Sequence, residues 1–449
     1  MWGDESVTVQ LAHRSLPQIW RTTQKIDLVH AFYYTVMHEI YGLVGGDLLT
    51  LRLPSVLAMS MAAAGVGLLG LRLSGPRTGL LAGTLFPLIP QIQQYTQEGR
   101  SYAMVCALVT WATCTLVACA ARPAWWRWTI YGSTMLLACL LHEFAVLALT
   151  AHGVTLLVSG APRPARKAWS VTAACVAAGL LPLAIRSAGQ SGQVSWIAWP
   201  DPVQFLGFLA MVIVGVRCAR FPMSTKGPIS LPALALPILV LPGLLLLLIS
   251  PVKPLFVDRY VLYGTIGFAL LLGAGIDHLY RQHSPPRNTW IAALSVLIAL
   301  LPATLYLRTP QSRHDDVIAI GNAVRHAGRP GDGLLYLPAR HRVWTAATPA
   351  DTRSLTDLAL AQTPIASNTL AGIELPARDV PARILQFGRI VAVRDAEGAH
   401  SDTDAREEAK TRTLARCFRE SGTTHVTGAR VTVYVRDYAA CPAPHAPTL

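Results

Sequence analysis

The segment Gln93–Ala121 reads QQYTQEGRSYAMVCALVTWATCTLVACAA, and it decides the fold class. Glu98 and Arg100 lie near its start, whereas the 21 residues from Ser101 onward include no charged side chain. A helix needs about 20 mostly apolar residues to cross a bilayer. Charge beside such a run is costly near lipid and commonly marks a functional site. The segment therefore predicts a membrane-spanning helix with ionisable residues at one end.

The composition of the chain extends this conclusion to most of its length. Of 449 residues, 52% are hydrophobic and only 14% are charged, whereas soluble proteins carry about 25% charged residues. Residues 309–449 contain 17 basic and 15 acidic residues, and the first 308 contain 21 and 10. Because the basic excess belongs to the apolar part, it indicates membrane topology and not a nucleic-acid partner. The expected environment is a lipid bilayer.

Apolar runs predict about ten membrane-spanning helices. They lie at about 52–71, 78–94, 101–121, 126–141, 143–159, 169–186, 203–218, 232–250, 260–279 and 289–307. The preceding residues 1–50 form the first external loop in this interpretation. Within that loop, Ser15–Gln24 and His30–Val44 are predicted as short amphipathic juxtamembrane helices.

Residues 309–449 differ from the rest because their charges are mixed and their apolar runs are short. Strands are predicted at Gly333–Pro338, Ile384–Val393 and His425–Val435, and helices at Asp315–Ala327 and Thr403–Glu420. The predicted fold is thus an all-α polytopic membrane bundle, 51–308, followed by a small C-terminal α/β domain, 309–449. If that domain is extracytoplasmic, Cys417 and Cys441 are able to form a disulfide.

The loop charges predict the orientation of the bundle. One set of loops carries 12 basic residues and the opposite set four, so the positive-inside rule makes the first set cytoplasmic. The first set contains Arg72, Arg77, Arg122, Arg127, Arg163, Arg166, Lys167, Arg217, Arg220, Lys226, Arg281 and Arg287. The opposite, external side then receives residues 1–50, the C-terminal domain and five ionisable clusters: Asp4-Glu5, His30, Glu98 with Arg100, His142-Glu143, and Asp258-Arg259.

Five segments resemble motifs of the GT-C class of integral-membrane glycosyltransferases, in the branch of protein O-mannosyltransferases and lipid A aminoarabinose transferases. They are WGDESVT at Trp2–Thr8, DLVHAFYY at Asp27–Tyr34, LRLPSVL at Leu51–Leu57, QQYTQEGRSYA at Gln93–Ala103 and PLFVDRYVL at Pro254–Leu262. One departure is that Ala31-Phe32 follows His30 where the family has two prolines. Family members also have a transmembrane helix before the Asp-Glu loop, so we expect codons upstream of Met1 to encode one.

The resemblance implies an activity: transfer of a hexose, mannose-like, from a polyprenyl-phosphate donor to an extracytoplasmic glycan, lipid or protein acceptor, with inversion. It also implies a multi-pass protein of the bacterial plasma membrane. Asp4 is implied as the general base that takes the proton of the acceptor hydroxyl. Glu5 would orient Asp4, and Glu98 would be a second acid lining the cavity. A divalent cation, Mg²⁺ or Mn²⁺, held by Asp4 and Glu5 is one way to offset charge on the departing phosphate.

Cationic side chains are the other way to offset that charge. Arg259 is the expected phosphate ligand, because its planar guanidinium suits phosphate oxygens. The remaining expected substrate-binding residues are His30, Arg100, Lys253 and Tyr260. Two of these residues have a simpler interpretation: Arg259 as a lipid head-group anchor, and His30 as a structural hydrogen-bonding group. His142-Glu143 is interpreted as an ordinary turn.

Two other functions compete with the transferase. A transporter or flippase of lipid-linked sugars or glycans also has many helices and charges within the membrane. Such a carrier places charge near the bilayer midplane, often on paired repeats, whereas here the charges cluster at one predicted face. A non-catalytic membrane scaffold for the α/β domain would keep its function when Asp4 is changed to Asn.

Overall fold

The computed structural model describes residues 1–190, 201–223, 225–282, 298, 301–398 and 404–441. The chain divides into two compact units. The helical unit comprises Asp27–Tyr33 and Leu49–Leu307, and the α/β unit comprises Met1–Ile26, Tyr34–Leu48 and Arg308–Leu449. The N-terminal segments and the C-terminal part of the chain thus belong to one unit.

The first 50 residues are mostly helical. They form α1 (Gly3–Ala12), α2 (Leu16–Thr23) and α3 (Ala31–Val44). α2 begins with a capping box, in which Ser15 and Gln18 satisfy each other's backbone amides, an arrangement that stabilises a helix start. The helices predicted at Ser15–Gln24 and His30–Val44 are confirmed, and α1 is an additional helix that carries Asp4 and Glu5.

The helical unit continues with ten α-helices whose bounds lie within the described residues, and residues 301–306 are also helical. They are α4 (Leu48–Leu73), α5 (Pro76–Leu85), α6 (Pro90–Thr96), α7 (Tyr102–Ala121), α8 (Trp125–Leu141), α9 (Leu147–Val158), α10 (Arg163–Ala188), α11 (Pro202–Ala219), α12 (Leu231–Ile249) and α13 (Thr265–Gln282). Short 3₁₀ turns lie at Leu28–His30, Phe86–Leu88, Glu143–Val146 and Asp258–Gly264.

Six helices of the described residues are long and apolar enough to cross a membrane: α4, α7, α10, α11, α12 and the segment Asp258–Gln282. Each matches a predicted span. The interruption predicted between 126–141 and 143–159 is also present, because α8 ends at Leu141 and His142 is extended. The predicted single span 78–94 is wrong. Pro87 and Pro90 lack the amide hydrogens that a continuous helix needs, so the chain forms α5, a 3₁₀ turn and α6. The span predicted at 289–307 falls mostly outside the described residues.

Close backbone contacts fix α13 against two neighbouring helices. A side chain on Gly267 would place its Cβ 2.2 Å from the carbonyl oxygen of Ala235 in α12. One on Gly273 would place it 2.7 Å from the amide nitrogen of Ala82 in α5. Small residues permit such approaches between membrane helices. The 3₁₀ turn that carries Arg259 leads directly into this tightly held helix.

The C-terminal part of the α/β unit is built on a five-stranded sheet of order β2-β1-β5-β7-β6. The strands are β1 (Gly333–Leu337), β2 (Thr356–Asp357), β5 (Arg389–Asp395), β6 (Phe418–Val426) and β7 (Ala429–Arg436); β3 (Leu360–Gln362) pairs with β4 (Ile373–Glu374) separately. β1 is parallel to β2 and β5, and the pairs β5-β7 and β6-β7 are antiparallel.

Helices cover both faces of this sheet. The helices of this part are α14 (Val317–Ala327), α15 (Arg342–Ala346), α16 (Pro364–Ser367), α17 (Val380–Ile384) and α18 (Ala405–Cys417). Because side chains alternate along a strand, Leu334 faces the core that contains α14, and Leu335 faces the core that contains α17 and α18. A disulfide joins Cys417 to Cys441, with their Cα atoms 5.3 Å apart.

The structure confirms some predicted elements of this unit and corrects others. The strand at Gly333–Pro338 and the helix at Asp315–Ala327 are present. The strand predicted from Ile384 begins only at Arg389, because Val380–Ile384 is helical. The strand predicted at His425–Val435 is a hairpin, since Gly428 turns the chain with a φ of +83° between β6 and β7. Phe418 starts β6, so the predicted helix Thr403–Glu420 ends at Cys417.

Candidate active site

The helical unit brings basic and aromatic side chains from four segments together. We call this group the basic-aromatic cluster. Its members are His30, Arg100, Tyr102, His142, Arg259 and Tyr260. They follow a pattern, because each lies at or beside the end of a helix where the backbone is irregular. Four predicted substrate-binding residues, His30, Arg100, Arg259 and Tyr260, are thus brought together.

Arg100 and His30 form one side of the cluster. Nη2 of Arg100 lies 3.3 Å from Nε2 of His30, and both side chains are buried. Nδ1 of His30 lies 2.7 Å from Oδ1 of Asp27. Asp27 has a φ of +62°, a conformation that Asp adopts more readily than most residues. The carboxylate of Asp27 therefore orients the imidazole that faces Arg100.

Arg259 and two tyrosines form a second side. The guanidinium carbon of Arg259 lies 5.6 Å from the ring centre of Tyr102 and 5.8 Å from that of Tyr260. A guanidinium over aromatic rings is held by cation–π attraction. Asp258 accepts hydrogen bonds from the Tyr95 hydroxyl, at 2.7 Å, and from the Arg259 amide, also at 2.7 Å. These contacts fix the turn that presents Arg259.

His142 completes the cluster. Its side chain is 3% exposed, and its ring centre lies 4.7 Å from that of Tyr260 and 5.6 Å from that of His30. Nδ1 of His142 is buried without a hydrogen-bond partner among the described residues. A buried polar atom in this state is costly unless a ligand or water satisfies it. The interpretation as an ordinary turn missed this burial; the available signal was a polar pair within a long apolar run.

A second buried histidine of the helical unit shows how a structural imidazole differs. Nε2 of His152 lies 3.0 Å from the Thr113 hydroxyl, and Nδ1 lies 2.9 Å from the Tyr131 hydroxyl. Both ring nitrogens therefore have partners within the helix bundle. His142 and His152 are similarly buried, but only His142 keeps a nitrogen for another molecule.

Glu98 and Lys253 are the remaining predicted site residues of the helical unit, and they lie in different surroundings, as does Glu143, which was predicted to belong to a turn. Glu98 is buried just before α7, and its carbonyl oxygen accepts a 2.6 Å hydrogen bond from Ser55. Glu143 accepts a 2.8 Å hydrogen bond from Ser187. The Lys253 side chain is exposed and makes no hydrogen bond or ion pair with a described residue. The structure therefore does not bring Lys253 into the cluster.

Asp4 and Glu5 belong to the α/β unit. Glu5 is fully buried, and its carboxylate accepts a 3.2 Å hydrogen bond from the Trp2 amide at the start of α1. Asp4 is half-buried in the first turn of α1. Its carboxylate is close enough to Asp315 to influence the titration of that residue. Of the two acids, Glu5 stabilises the helix start by accepting from the Trp2 amide.

Asp315 ties the start of α1 to the rest of the α/β unit. Its Oδ1 accepts a 2.6 Å hydrogen bond from the Gly3 amide, and the Val317 amide donates to the Met1 carbonyl at 2.9 Å. Burial raises the pKa of Asp315, the Gly3 hydrogen bond lowers it, and the charge of Asp4 raises it further, so that the net shift is upward. Asp4 thus lies in a helix, α1, whose first turn is held by a hydrogen bond to the Asp315 carboxylate.

The acids do not form an evident metal site. Among the described residues, no three His, Cys, Asp or Glu side chains are grouped so that they would hold a metal ion. Glu5 directs its carboxylate to the Trp2 amide. We therefore derive no chemical step through a metal.

The fold is similar to two crystal structures of ArnT from Cupriavidus metallidurans. The apo structure superposes with a TM-score of 0.54 and 11% sequence identity, covering 96% of this chain and 93% of that one. The structure bound to undecaprenyl phosphate gives a TM-score of 0.52 and 11% identity, covering 90% and 87%. The chain has the GT-C fold.

The GT-C resemblance drawn from the sequence is therefore confirmed, and this GT-C chain is a multi-pass membrane protein. The branch within the class stays a prediction. No protein-family model matches the chain, and no curated protein matches it in sequence. The similarity to known proteins thus lies in the fold.

Proposed function

We propose that this GT-C chain is a membrane glycosyltransferase that takes its sugar from a polyprenyl-phosphate donor. The observation that carries the proposal is the convergence of Arg100, Arg259, His30 and His142 in one buried cluster. Two guanidinium groups and two imidazoles offer many hydrogen-bond donors to one anion. The ArnT structure bound to undecaprenyl phosphate, which shares the fold, adds support for a donor of this class.

The cluster suits the leaving group of such a reaction. The acceptor oxygen attacks the anomeric carbon, the bond from that carbon to the phosphate oxygen breaks, and polyprenyl phosphate departs with the bonding electrons. Arg259 and Arg100 stabilise the negative charge that grows on the phosphate. His142 supplies a further hydrogen bond from its buried ring. Because phosphate is already a good leaving group, no acid is needed to protonate it.

We assign the proton of the acceptor hydroxyl to Asp4, which acts as the general base. Attack from the face opposite the phosphate inverts the anomeric centre. Glu98 is proposed as a second acid of the active site. The transferred sugar is proposed to be a hexose, mannose-like. The acceptor is proposed to be extracytoplasmic, and the Cys417–Cys441 disulfide supports that side because disulfides persist in oxidising compartments. The proposed location is the bacterial plasma membrane.

The deciding experiment follows the release of label from radiolabelled polyprenyl-phosphate hexoses in membranes that contain the protein. We compare the wild type with Asp4→Asn and with Arg186→Gln, which removes an exposed charge at the end of α10. Loss of transfer in Asp4→Asn alone, with folding retained, is the expected result. Transfer that survives in Asp4→Asn keeps the enzyme class and moves the base to Glu5 or Glu98.

A different result favours the competing function. If a well-folded wild type releases label from no donor but moves lipid-linked sugars across vesicle membranes, the protein is a transporter. The same preparation serves both assays, so a failed transfer assay is informative.

A further inference from the structure

Four basic side chains of the helical unit line one cavity of about 360 Å³. They are Arg72, Arg122, Arg127 and Lys226, and none of the other described residues that line the cavity is acidic. Ligand pockets in proteins typically have volumes of about 300–1,000 Å³. The proposed transfer reaction uses none of these residues, so the cavity needs its own explanation.

The four cations come from separate parts of the sequence. Arg72 lies at the end of α4, Arg122 follows α7, and Arg127 lies in the first turn of α8. Lys226 belongs to the loop before α12, and its amide donates a 3.2 Å hydrogen bond to the carbonyl of Leu73. This hydrogen bond holds the loop against α4, so that Lys226 is the fourth cation that lines the cavity.

Of the four cations that line the cavity, Arg127 differs from the others because its side chain donates hydrogen bonds to the protein. Nη1 of Arg127 donates to the carbonyls of Ala118, at 3.1 Å, and Arg122, at 2.7 Å. Arg127 therefore helps to build the cavity wall. Arg72, Arg122 and Lys226 make no side-chain hydrogen bond or ion pair with another described residue. Three unneutralised cations facing one cavity repel each other, and a bound anion would relieve that repulsion.

Membrane topology alone does not account for this arrangement. Arg163, Lys167 and Arg220 satisfy the same loop-charge rule without lining the cavity. Favourable helix dipoles explain cations at the carboxyl ends of α4 and α7. They do not explain Arg127 at the opposite end of a helix, or Lys226 in a loop. What the four share is the cavity.

We propose that this cavity binds a phosphate group, presented by the headgroup of an anionic phospholipid. Guanidinium and ammonium groups are the side chains that bind phosphate oxygens. Basic pockets between membrane helices are suited to lipid phosphates. Trp125 and Trp126, adjacent to Arg127 in sequence, are 80% and 47% exposed. Exposed tryptophans favour the headgroup level of a bilayer, which places a lipid phosphate within reach. The site is independent of the transfer reaction.

The test uses the purified full-length chain in a neutral detergent, with bound lipid counted by native mass spectrometry. Phosphatidylglycerol is titrated against phosphatidylcholine, and inorganic phosphate is titrated in parallel with the thermal midpoint as the readout. The cavity variant is Arg72→Gln/Arg122→Gln/Lys226→Gln, which spares the structural Arg127. The matched control, Arg163→Gln/Lys167→Gln/Arg220→Gln, removes three exposed charges outside the cavity.

The expected result is a preference of the wild type for phosphatidylglycerol that the control keeps and the cavity variant loses by about tenfold or more. Inorganic phosphate that stabilises the wild type and the control, but not the cavity variant, would also support a phosphate site, with free phosphate as its source. Equal losses in both triple variants, or no preference over phosphatidylcholine, would overturn the proposal. If the triple variant does not fold, Arg122→Gln and Arg122→Lys replace it, and only the glutamine variant is expected to lose binding.

Discussion

The buried charges of the α/β unit and those of the helical unit have different surroundings. In the α/β unit, Nζ of Lys410 is fully buried and lies 2.7 Å from Glu374, 2.8 Å from Glu407 and 3.0 Å from the Tyr336 carbonyl. Arg342 binds the same Glu374 at 2.9 Å. Cations and carboxylates there face each other directly.

The basic-aromatic cluster has a different set of neighbours. Arg100 faces an imidazole, Arg259 lies over two aromatic rings, and His142 keeps an unsatisfied nitrogen. His142 thus has a hydrogen bond to offer to a ligand, whereas Nζ of Lys410 makes its hydrogen bonds within the protein. Burial of charge alone therefore does not identify a ligand site.

The largest effect is expected from breaking the α/β network. Lys410→Met removes the cation between Glu374 and Glu407 and leaves both carboxylates buried. Removing one partner of a buried ion pair costs about 3–5 kcal/mol, and the thermal midpoint of the purified protein measures the loss. Arg412→Met is the control, because the Arg412–Glu408 pair is exposed and such pairs contribute about 0–1 kcal/mol. Equal shifts for the two variants would refute a structural role for the network.

The second-largest effect is expected on the transfer activity, from a change in the basic-aromatic cluster. Arg100→Gln is expected to lower transfer from the polyprenyl-phosphate donor about 100-fold, equivalent to about 2.7 kcal/mol, without a matching loss of thermal stability. The reason is that, in the proposed reaction, Arg100 stabilises charge on the departing phosphate. The measurement is kcat/KM in membranes with Arg186→Gln as the control. If Arg100→Gln lowers the thermal midpoint but leaves the activity per folded molecule unchanged, Arg100 has a structural role like that of Lys410.

A smaller effect should separate the two buried histidines. His142→Phe keeps an aromatic ring beside Tyr260 but removes the hydrogen-bonding nitrogen, so transfer is expected to fall about tenfold with little change in stability. His152→Phe breaks hydrogen bonds to Thr113 and Tyr131. It should lower the thermal midpoint and leave the activity of the folded protein unchanged. The opposite pattern would exclude His142 from the site.

The smallest effect is a dependence of stability on pH at Asp315. Its pKa is raised on folding, so its contribution to stability is complete below the unfolded pKa and is lost as the pH rises through the folded value. Asp315→Asn keeps an oxygen that accepts from Gly3 but does not titrate. The free energy of unfolding of the variant should therefore rise relative to that of the wild type as the pH increases through the folded pKa of Asp315. The expected difference is about 1 kcal/mol or less.

The pKa of Asp395 is shifted in the opposite direction to that of Asp315. Burial would raise its pKa, but the hydrogen bond and charge of His341, with the charge of Arg340, lower it overall. Asp395→Asn should therefore be less stable than the wild type at pH 7, and the deficit should shrink as the pH falls through the low folded pKa. Parallel pH curves for the two variants would contradict both assignments.

The sequence predicted those features that follow from local composition. Long apolar runs predicted α4, α7, α10, α11 and α12, because a run of that length has few stable alternatives to a helix in lipid. The motif around Glu98 and Arg100 predicted the GT-C class, and the structure brings Arg100 together with His30, Arg259 and Tyr260. These residues were identifiable because ionisable groups are rare in such a chain.

Other features were decided by tertiary structure. His142 is distant in sequence from His30 and Tyr260, and only the packing of separate helix ends makes them neighbours. The same is true of Asp315 and Gly3, whose 2.6 Å contact joins residues that are 312 positions apart. Gly428 makes a hairpin of one predicted strand because a turn depends on a single backbone conformation. Composition alone thus determined which segments enter the membrane, since transfer into lipid depends on the segment itself, whereas the partners of each buried polar group depended on contacts between distant segments.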